Sequence, residues 1–375
     1  MPLSTKYLNA QPDTLPLQKI FSVRRIFTLL FLFPVAIQAQ PSGYYNTAFG
    51  KNKDTLREAL HQIIKNHTVV SYASLWTHYA QTDIRPNGKV WDMYSDKPGQ
   101  TPPYEYTFGS DQCGNYKKEG DCYNREHSFP QSYFNGSGPM YSDLFHVYPT
   151  DGYVNGKRAD FMYGVVSNPS FTSMNGSKVG NNTYPGSPSG SAFEPIDDYK
   201  GDFARTYFYI ATRYKGEDAG WSSWEMSDGA ELKQWAINML LEWHQNDPVS
   251  QKELDRNNAV YNIQNNRNPF IDYPVFADCI WGNADCSTLT VAGSPKVRYI
   301  NIYPNPATDR VHIHWQSPEE TLAVDVFNTN GQQMHSEVLQ HKVDWTLPVD
   351  TWPKGIYFIH FRGKDTREVK KLVVQ

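Results

Sequence analysis

The feature that most limits what this chain can fold into is a change of texture between residues 285 and 297. Before it, apolar residues recur at helical spacing between irregular stretches. After it come short apolar or alternating runs separated by turn residues: Val297 to Tyr303, Val311 to Trp315, Leu322 to Phe327, Val343 to Leu347, Gly355 to Phe361 and Val369 to Val374. Period-two alternation puts one face of a strand in a core, and a series of such strands predicts a small antiparallel sandwich. With 375 residues in all, one large domain followed by one small one is the expected organisation. Aromatic residues make up 14% of the chain, enough to build a real core and to argue against global disorder. The net charge of −4 argues against a protein that coats nucleic acid by charge alone, yet it leaves room for an enzyme that gathers cations at one cleft.

Upstream of that change, Asp54 is expected to cap a helix carrying Leu56, Leu60, Ile63 and Ile64. Asn87-Gly88 marks a turn before Val90-Trp91-Asp92-Met93-Tyr94, a short predicted strand. Residues 166–195 are rich in Gly, Ser, Asn and Pro and are expected to form a long surface loop. Two or three helices should follow. Ala204, Tyr207, Phe208 and Ala211 line the first, and Leu232, Trp235, Ala236, Met239, Leu240 and Trp243 line the second. Asp247-Pro248 supplies a cap and a first-turn proline for the third, which should run to about Gln264. Aromatics at that spacing belong to a buried helix face rather than to a base-stacking platform.

Residues 1–39 have the form of a signal peptide. Lys19, Arg24 and Arg25 make a basic start, Ile26 to Ile37 is an apolar run, and Ala39 is a plausible last residue before cleavage. The apolar run is too short to span a bilayer comfortably, which sets the alternative of an uncleaved anchor behind export. In an exported chain, the local pairs Cys113 with Cys122 and Cys279 with Cys286 suggest two disulfides, although four cysteines allow three pairings. The spacings are too wide and irregular for a paired-cysteine zinc site.

One block carries the chemistry. Tyr123-Asn124-Arg125-Glu126-His127 sets a carboxylate directly before a histidine, and Asn155 follows that histidine 28 positions later. Glu126 and Asn155 offer oxygen to a hard divalent cation, and a neutral imidazole beside such a cation can take a proton from water. Phosphodiester hydrolysis asks for that combination: an activated water, an offset phosphate charge and a stabilised leaving oxygen. In a ββα-metal arrangement, residues near 123–127 would form a strand ending at the base and residues near 143–149 the return strand. Thr150 or Asp151 would cap a helix bearing Asn155. Glu126 and Asn155 would then lie on one side of a cleft, with His127 facing it. Asp143 and His146 are candidates for orienting these groups, and cations at Lys157-Arg158 suit phosphate contact.

These residues resemble the endonuclease I family of secreted, metal-dependent, sequence-nonspecific nucleases. The resemblance covers residues 45–283. It includes Asn124-Arg125-Glu126-His127, Asp143-Leu144 through Arg158, Phe193-Glu194-Pro195, Gly201-Asp202-Phe203-Ala204-Arg205 and Asn265-Asn266-Arg267-Asn268-Pro269-Phe270-Ile271-Asp272. It implies that His127 is the general base and that Glu126 and Asn155 hold the metal, most often magnesium. Some family members have histidine where this chain has Phe145. Better-studied members carry a phosphate-stabilising arginine between the histidine and the asparagine, and this chain has none there. Arg158 and Arg267 are the candidate substitutes.

The C-terminal runs resemble the sorting domain of the type IX secretion system. The matching residues are Ile302-Tyr303-Pro304-Asn305-Pro306-Ala307, Val326-Phe327-Asn328-Thr329-Asn330-Gly331, Gly355-Ile356-Tyr357-Phe358 and the basic tail at Lys370-Lys371. A generic binding module is the alternative. Together these features predict an α+β nuclease domain with a ββα-metal motif over residues 41–286, then an all-β sandwich domain over residues 297–375. The expected protein is a monomeric, secreted or cell-surface nuclease exported through the periplasm, with DNA and perhaps RNA as substrate. The rival expectation is a secreted surface or adhesion protein with a catalytically degenerate nuclease core.

Overall fold

The computed structural model describes residues 40–289, 300–315, 321–340, 344–363 and 367–375. The segment expected to be a signal peptide lies outside them. No described helix is long and apolar enough to cross a membrane.

The upstream region begins with two helices, α1 (Lys53–Ile64) and α2 (Leu75–Thr82). Leu56, Leu60 and Ile64 of α1 are buried at helical spacing, as the pattern predicts. The N-cap position is Asn52 rather than Asp54, which sits one residue inside the first turn, where its charge still favours the helix N-terminus. The predicted strand at 90–94 is absent. Only Val90 makes a bridge, to Ile84, and the Asp92 carboxylate then folds the chain into a turn by accepting from the Tyr94 amide. A side chain that bonds its own backbone competes with a strand ladder.

A hairpin and a short helix follow: β1 (Tyr123–His127), β2 (Val147–Asp151) and α3 (Gly152–Arg158). The stretch expected to be a loop is instead mostly sheet. Strands β3 (Met162–Tyr163), β4 (Val166–Thr172), β5 (Lys178–Asn182) and β6 (Ser191–Glu194) form one mixed sheet in the order β3-β6-β5-β4, with β3 parallel to β6. Its strands look loop-like because much of their surface is solvated. In β4 only Val166 is fully buried, while β6 buries Ala192 and Phe193. Composition tracks exposure here, not backbone conformation.

Helix α4 (Asp197–Arg213) is the central element and is buried on nearly every side. After the short ribbon of β7 (Ser227–Asp228) and β8 (Glu231–Leu232), α5 (Gln234–Asn246) packs along it. Helices α6 (Gln251–Gln264), α7 (Pro269–Asp272) and α8 (Val275–Ile280) complete the region. The cap of α6 is Ser250, reciprocated by Glu253 in a capping box, and not Asp247. Asp247 ends α5, and its carboxylate accepts from the Gly201 amide at 2.8 Å. The C-terminus of α6 falls at Gln264 as expected, with Asn265 in the left-handed region at φ 59°.

The C-terminal region folds as predicted into a sandwich with its own apolar core. Strands β9 (Ile300–Tyr303), β10 (Arg310–Trp315), β11 (Thr321–Asn328), β12 (Gln333–Gln340), β13 (Asp344–Pro348), β14 (Gly355–Gly363) and β15 (Arg367–Val374) form two sheets, ordered β13-β10-β9 and β12-β11-β14-β15. Strand β12 went unpredicted because it is largely polar and solvated, with only Leu339 buried. Gly331, with φ 77°, turns the β11–β12 hairpin in a backbone region that favours glycine.

Candidate active site

β1 and β2 pair antiparallel, with Glu126 opposite Tyr148 and His127 opposite Val147. The return strand starts at Val147, later than the sequence pattern suggests, because residues 140–146 are wound around Asp143. Its Oδ1 accepts from the Phe145 amide and from Gln264, both at 3.0 Å, and its Oδ2 accepts from the Tyr209 and Tyr214 hydroxyls at 2.8 Å. Burial alone would raise this carboxyl. His67, His146 and the Gln264 hydrogen bond outweigh it and hold Asp143 down at about 2. Of the two cap candidates for α3, Asp151 takes the role. Its Oδ1 accepts from the Val154 amide at 2.8 Å, and its Oδ2 accepts from Tyr106 and Gly120. Thr150 is buried with an unpartnered hydroxyl.

Successive residues of a strand point to opposite faces, so β1 divides the key residues between two environments. Asn124 and Glu126 face α3. Glu126 is buried, accepts from the Tyr94 hydroxyl at 2.9 Å and lies 3.2 Å from the Arg158 guanidinium, all at Oε1. Burial lifts its carboxyl to about 7 against the pull of Arg158 and Tyr94. Arg158, 1% exposed, also donates to the carbonyls of His127 (3.1 Å) and Ser128 (2.5 Å), stitching α3 to the end of β1. Tyr207 of α4 donates to the same Ser128 carbonyl at 2.8 Å. Asn155 lies one turn before Arg158 and donates Nδ2 to Asn124 Oδ1 at 2.8 Å.

His127 faces the other way. Its ring stacks against Tyr72 (centroids 5.6 Å apart, planes at 17°) and Tyr141 (5.2 Å, 19°). Nε2 meets the Tyr141 carbonyl at 3.0 Å. A carbonyl only accepts, so Nε2 carries the proton and Nδ1 keeps its lone pair. Burial, aided by nearby His146, depresses His127 to about 3, which leaves the imidazole neutral across the usual pH range. His146 is fully buried, 5.5 Å from His127 by ring centroids, and bonds the Met140 carbonyl at 2.7 Å. Phe145, the position that is histidine in some relatives, is core against Tyr209.

The structure thus brings Glu126, Asn155 and Arg158 to the α3 side of β1, and sets His127 on the opposite side rather than facing them. The two groups adjoin only at the end of β1. Neither arginine put forward for phosphate contact presents a free edge. Arg158 is consumed inside the hairpin, and Arg267 forms a two-point pair with Asp272, both contacts at 2.7 Å. Its described partners lie outside β1, β2 and α3. The cysteines pair as Cys113–Cys122 and Cys279–Cys286, each with Cα atoms 5.7 Å apart. The first pins the 113–122 loop to the start of β1 and presents Tyr116 to α3. A Cβ at Gly152 would meet that ring at 2.6 Å, and one at Gly156 would meet its hydroxyl at 2.7 Å, so the ring lies close against the start of α3.

A hard cation suits the donor set. Glu126 Oε2 takes no hydrogen bond among the described residues, and Asn155 uses its nitrogen on Asn124, leaving its carbonyl oxygen. No group of three or more His, Cys, Asp or Glu that could hold a metal occurs among the described residues. Two protein oxygens completed by water is the sparse coordination that magnesium favours.

Sequence reading missed Tyr94 and Tyr163, whose hydroxyls lie 3.3 Å apart beside Glu126, and Tyr72 and Tyr141, which clamp His127. No local motif marks them, since they come from separate loops and strands.

The endonuclease I family matches residues 52–275, and the secretion system C-terminal sorting domain matches residues 301–375. An extracellular ribonuclease of Bacillus subtilis (strain 168) is 36% identical over 259 residues, which is 66% of this chain and 81% of that protein. One from Bacillus amyloliquefaciens is 35% identical over 258 residues, 65% and 79% of the two chains. An endonuclease-1 from Buchnera aphidicola (subsp. Acyrthosiphon pisum, strain APS) is 28% identical over 130 residues, 35% and 44% of the two chains. Nucleic acid is therefore the substrate class, and the type IX secretion machinery is the export partner. This chain belongs to the endonuclease I family, as an exported nuclease, secreted or held at the cell surface, that carries its own C-terminal sorting domain.

Proposed function

We propose that this nuclease is a magnesium-dependent endonuclease that hydrolyses phosphodiesters in RNA and DNA with little sequence preference, acting as a monomer. RNA is included because the two Bacillus relatives are extracellular ribonucleases. The observation that carries the reading is His127. It is a neutral, ring-clamped imidazole whose Nε2–H is tied to a carbonyl, next in sequence to a buried carboxylate.

In this reading His127 Nδ1 takes the proton of the attacking water. The Tyr141 carbonyl holds the tautomer, and Tyr72 and Tyr141 hold the ring plane. Glu126 and Asn155 would hold the cation, which would supply charge to offset the phosphate and the leaving oxygen. Arg158 fixes the strand end from which His127 and Glu126 diverge, so that a phosphate reaching round the end of β1 meets both. Tyr94 orients the Glu126 carboxylate. Backbone recognition without base contacts predicts activity that falls as salt rises.

The test is cleavage of supercoiled plasmid and of single-stranded RNA by the mature protein, with magnesium and with EDTA, beside His127→Ala. Metal-dependent cleavage that collapses in the variant is expected. No cleavage of either polymer by folded wild-type protein across several divalent metals would sink the reading.

A further inference from the structure

We propose that Arg125, held flat on a shelf of Tyr72 and Trp76 beside His127, grips a backbone phosphate of the substrate at the mouth of the site; this rests on the nuclease reading above. Arg125 is the third residue of β1 and shares the His127 face of the strand. Its guanidinium carbon lies 3.6 Å from the Tyr72 ring centre and 4.4 Å from that of Trp76. Nη1 donates to the Tyr72 carbonyl at 2.8 Å, and this is its one described hydrogen bond. A guanidinium has five N–H donors, so most of them remain for a ligand.

What sets Arg125 apart is the absence of an acid. Arg57 has Glu231, Arg85 has Asp96, Arg205 has Glu253, Arg213 has Glu217 and Arg256 has Asp83. Arg158 and Arg267 are paired with Glu126 and Asp272. Among the described residues, Arg125 is the only arginine between 40 and 289 outside such a pair. Its partner strand offers nothing either. Pro149 stands opposite, and Asp151, two positions along, spends its oxygens on Val154, Tyr106 and Gly120.

Arg125, Tyr72 and Trp76 are all partly exposed, whereas Arg158 and Arg267 are buried. An unpaired, pre-oriented, solvent-reachable guanidinium on the His127 face fits an anion that offers two adjacent oxygens, such as a phosphodiester. The aromatic shelf removes much of the side-chain freedom that binding would otherwise freeze out. The contact is to phosphate, so it serves DNA and RNA alike.

The experiment measures binding of short labelled single-stranded DNA and RNA oligonucleotides by fluorescence anisotropy, in EDTA, across a salt series. The proteins are wild type, Arg125→Met and Arg125→Lys. For Arg125→Met we expect affinity to fall roughly tenfold for both polymers. The slope of log affinity against log salt should flatten by about 0.7, the value of one lost contact on a single strand. Arg125→Lys should keep most of the slope while binding more weakly, an outcome that a purely structural role would not produce. Wild-type affinity and slope in a folded Arg125→Met overturn the proposal while leaving the nuclease reading standing. If Arg125→Met does not fold, an Arg125→Lys that loses the slope although folded overturns it instead. A folded wild type that binds neither polymer overturns the proposal, and the cleavage assay with divalent metals decides the nuclease reading separately.

Discussion

On the face of β1 that meets α3, the charge is matched: Glu126 has Arg158, and Arg158 fills two strand-end carbonyls besides. On the opposite face, Arg125 has two aromatic rings and one carbonyl, and His127 has two rings and one carbonyl. The difference follows from burial. A charge taken wholly out of water must be paired or it becomes very costly, so the interior face is built as a closed pair. A partly exposed cation is solvated and can stay unpaired, which leaves it available to an anion arriving from solution. One five-residue strand thereby carries a face whose charges are paired and a face whose cation stays open to solvent.

The sharpest way to break this division is His127→Ala. If His127 does the proton transfer, turnover per folded molecule should fall by about 10²–10⁴-fold, over and above the stability lost with its buried ring. A variant that keeps its rate in a plasmid-nicking assay would place the base elsewhere. On the inner face the effect should reverse, with stability lost first. Arg158→Met strands the buried Glu126 carboxylate and should cost about 3–5 kcal/mol in urea unfolding. Adding Glu126→Gln should recover part of that loss, and no recovery would mean that the two are not coupled.

Acid should act on the buried shell behind His127. Burial depresses His146 to about 4 from an ordinary 6.5. Between those values the unfolded chain binds more protons than the folded one, so stability rises with pH through that window. It is complete above 6.5 and is lost as pH falls toward 4, by on the order of 3 kcal/mol. Thermal melts of His146→Gln should show a flatter acid limb, and an unchanged limb would assign the loss to other groups. The smallest effect should come from Tyr94→Phe. It removes one donor to Glu126 and should cost about 1–2 kcal/mol in stability, read by urea unfolding.

Much of the fold was legible because it is repetitive. Leu56, Leu60 and Ile64 mark α1, and Val324, Val326, Ile359 and Phe361 mark inward-facing strand positions of the sandwich. The failures share a cause. Strands β4 and β12 are mostly solvated and carry little apolar alternation, so pattern reading passed over them. The Asp247-Pro248 cap failed because tertiary contact decided its role. Gly201 of α4 approaches Asp247, whose carboxylate accepts from the Gly201 amide, while Ser250 and Glu253 close the capping box three residues on. The block from Asn124 to His127 was visible at once, and so was Asn155, because strand, turn and helix are local.

From the order of residues alone came the two-part organisation and the hairpin-plus-helix form of the 123–158 segment, while the choice among three cysteine pairings waited for the structure. The three-dimensional arrangement decided which charges are spent. Arg158, Arg267 and Arg125 look alike in a sequence. Only packing shows that the first two are buried against Glu126 and Asp272 while the third lies open on Tyr72 and Trp76. Helical and strand periodicity is written within a few neighbouring residues. The partner of a guanidinium is set by contacts such as Arg125 with Tyr72, whose residues lie 53 positions apart, and no local pattern records them.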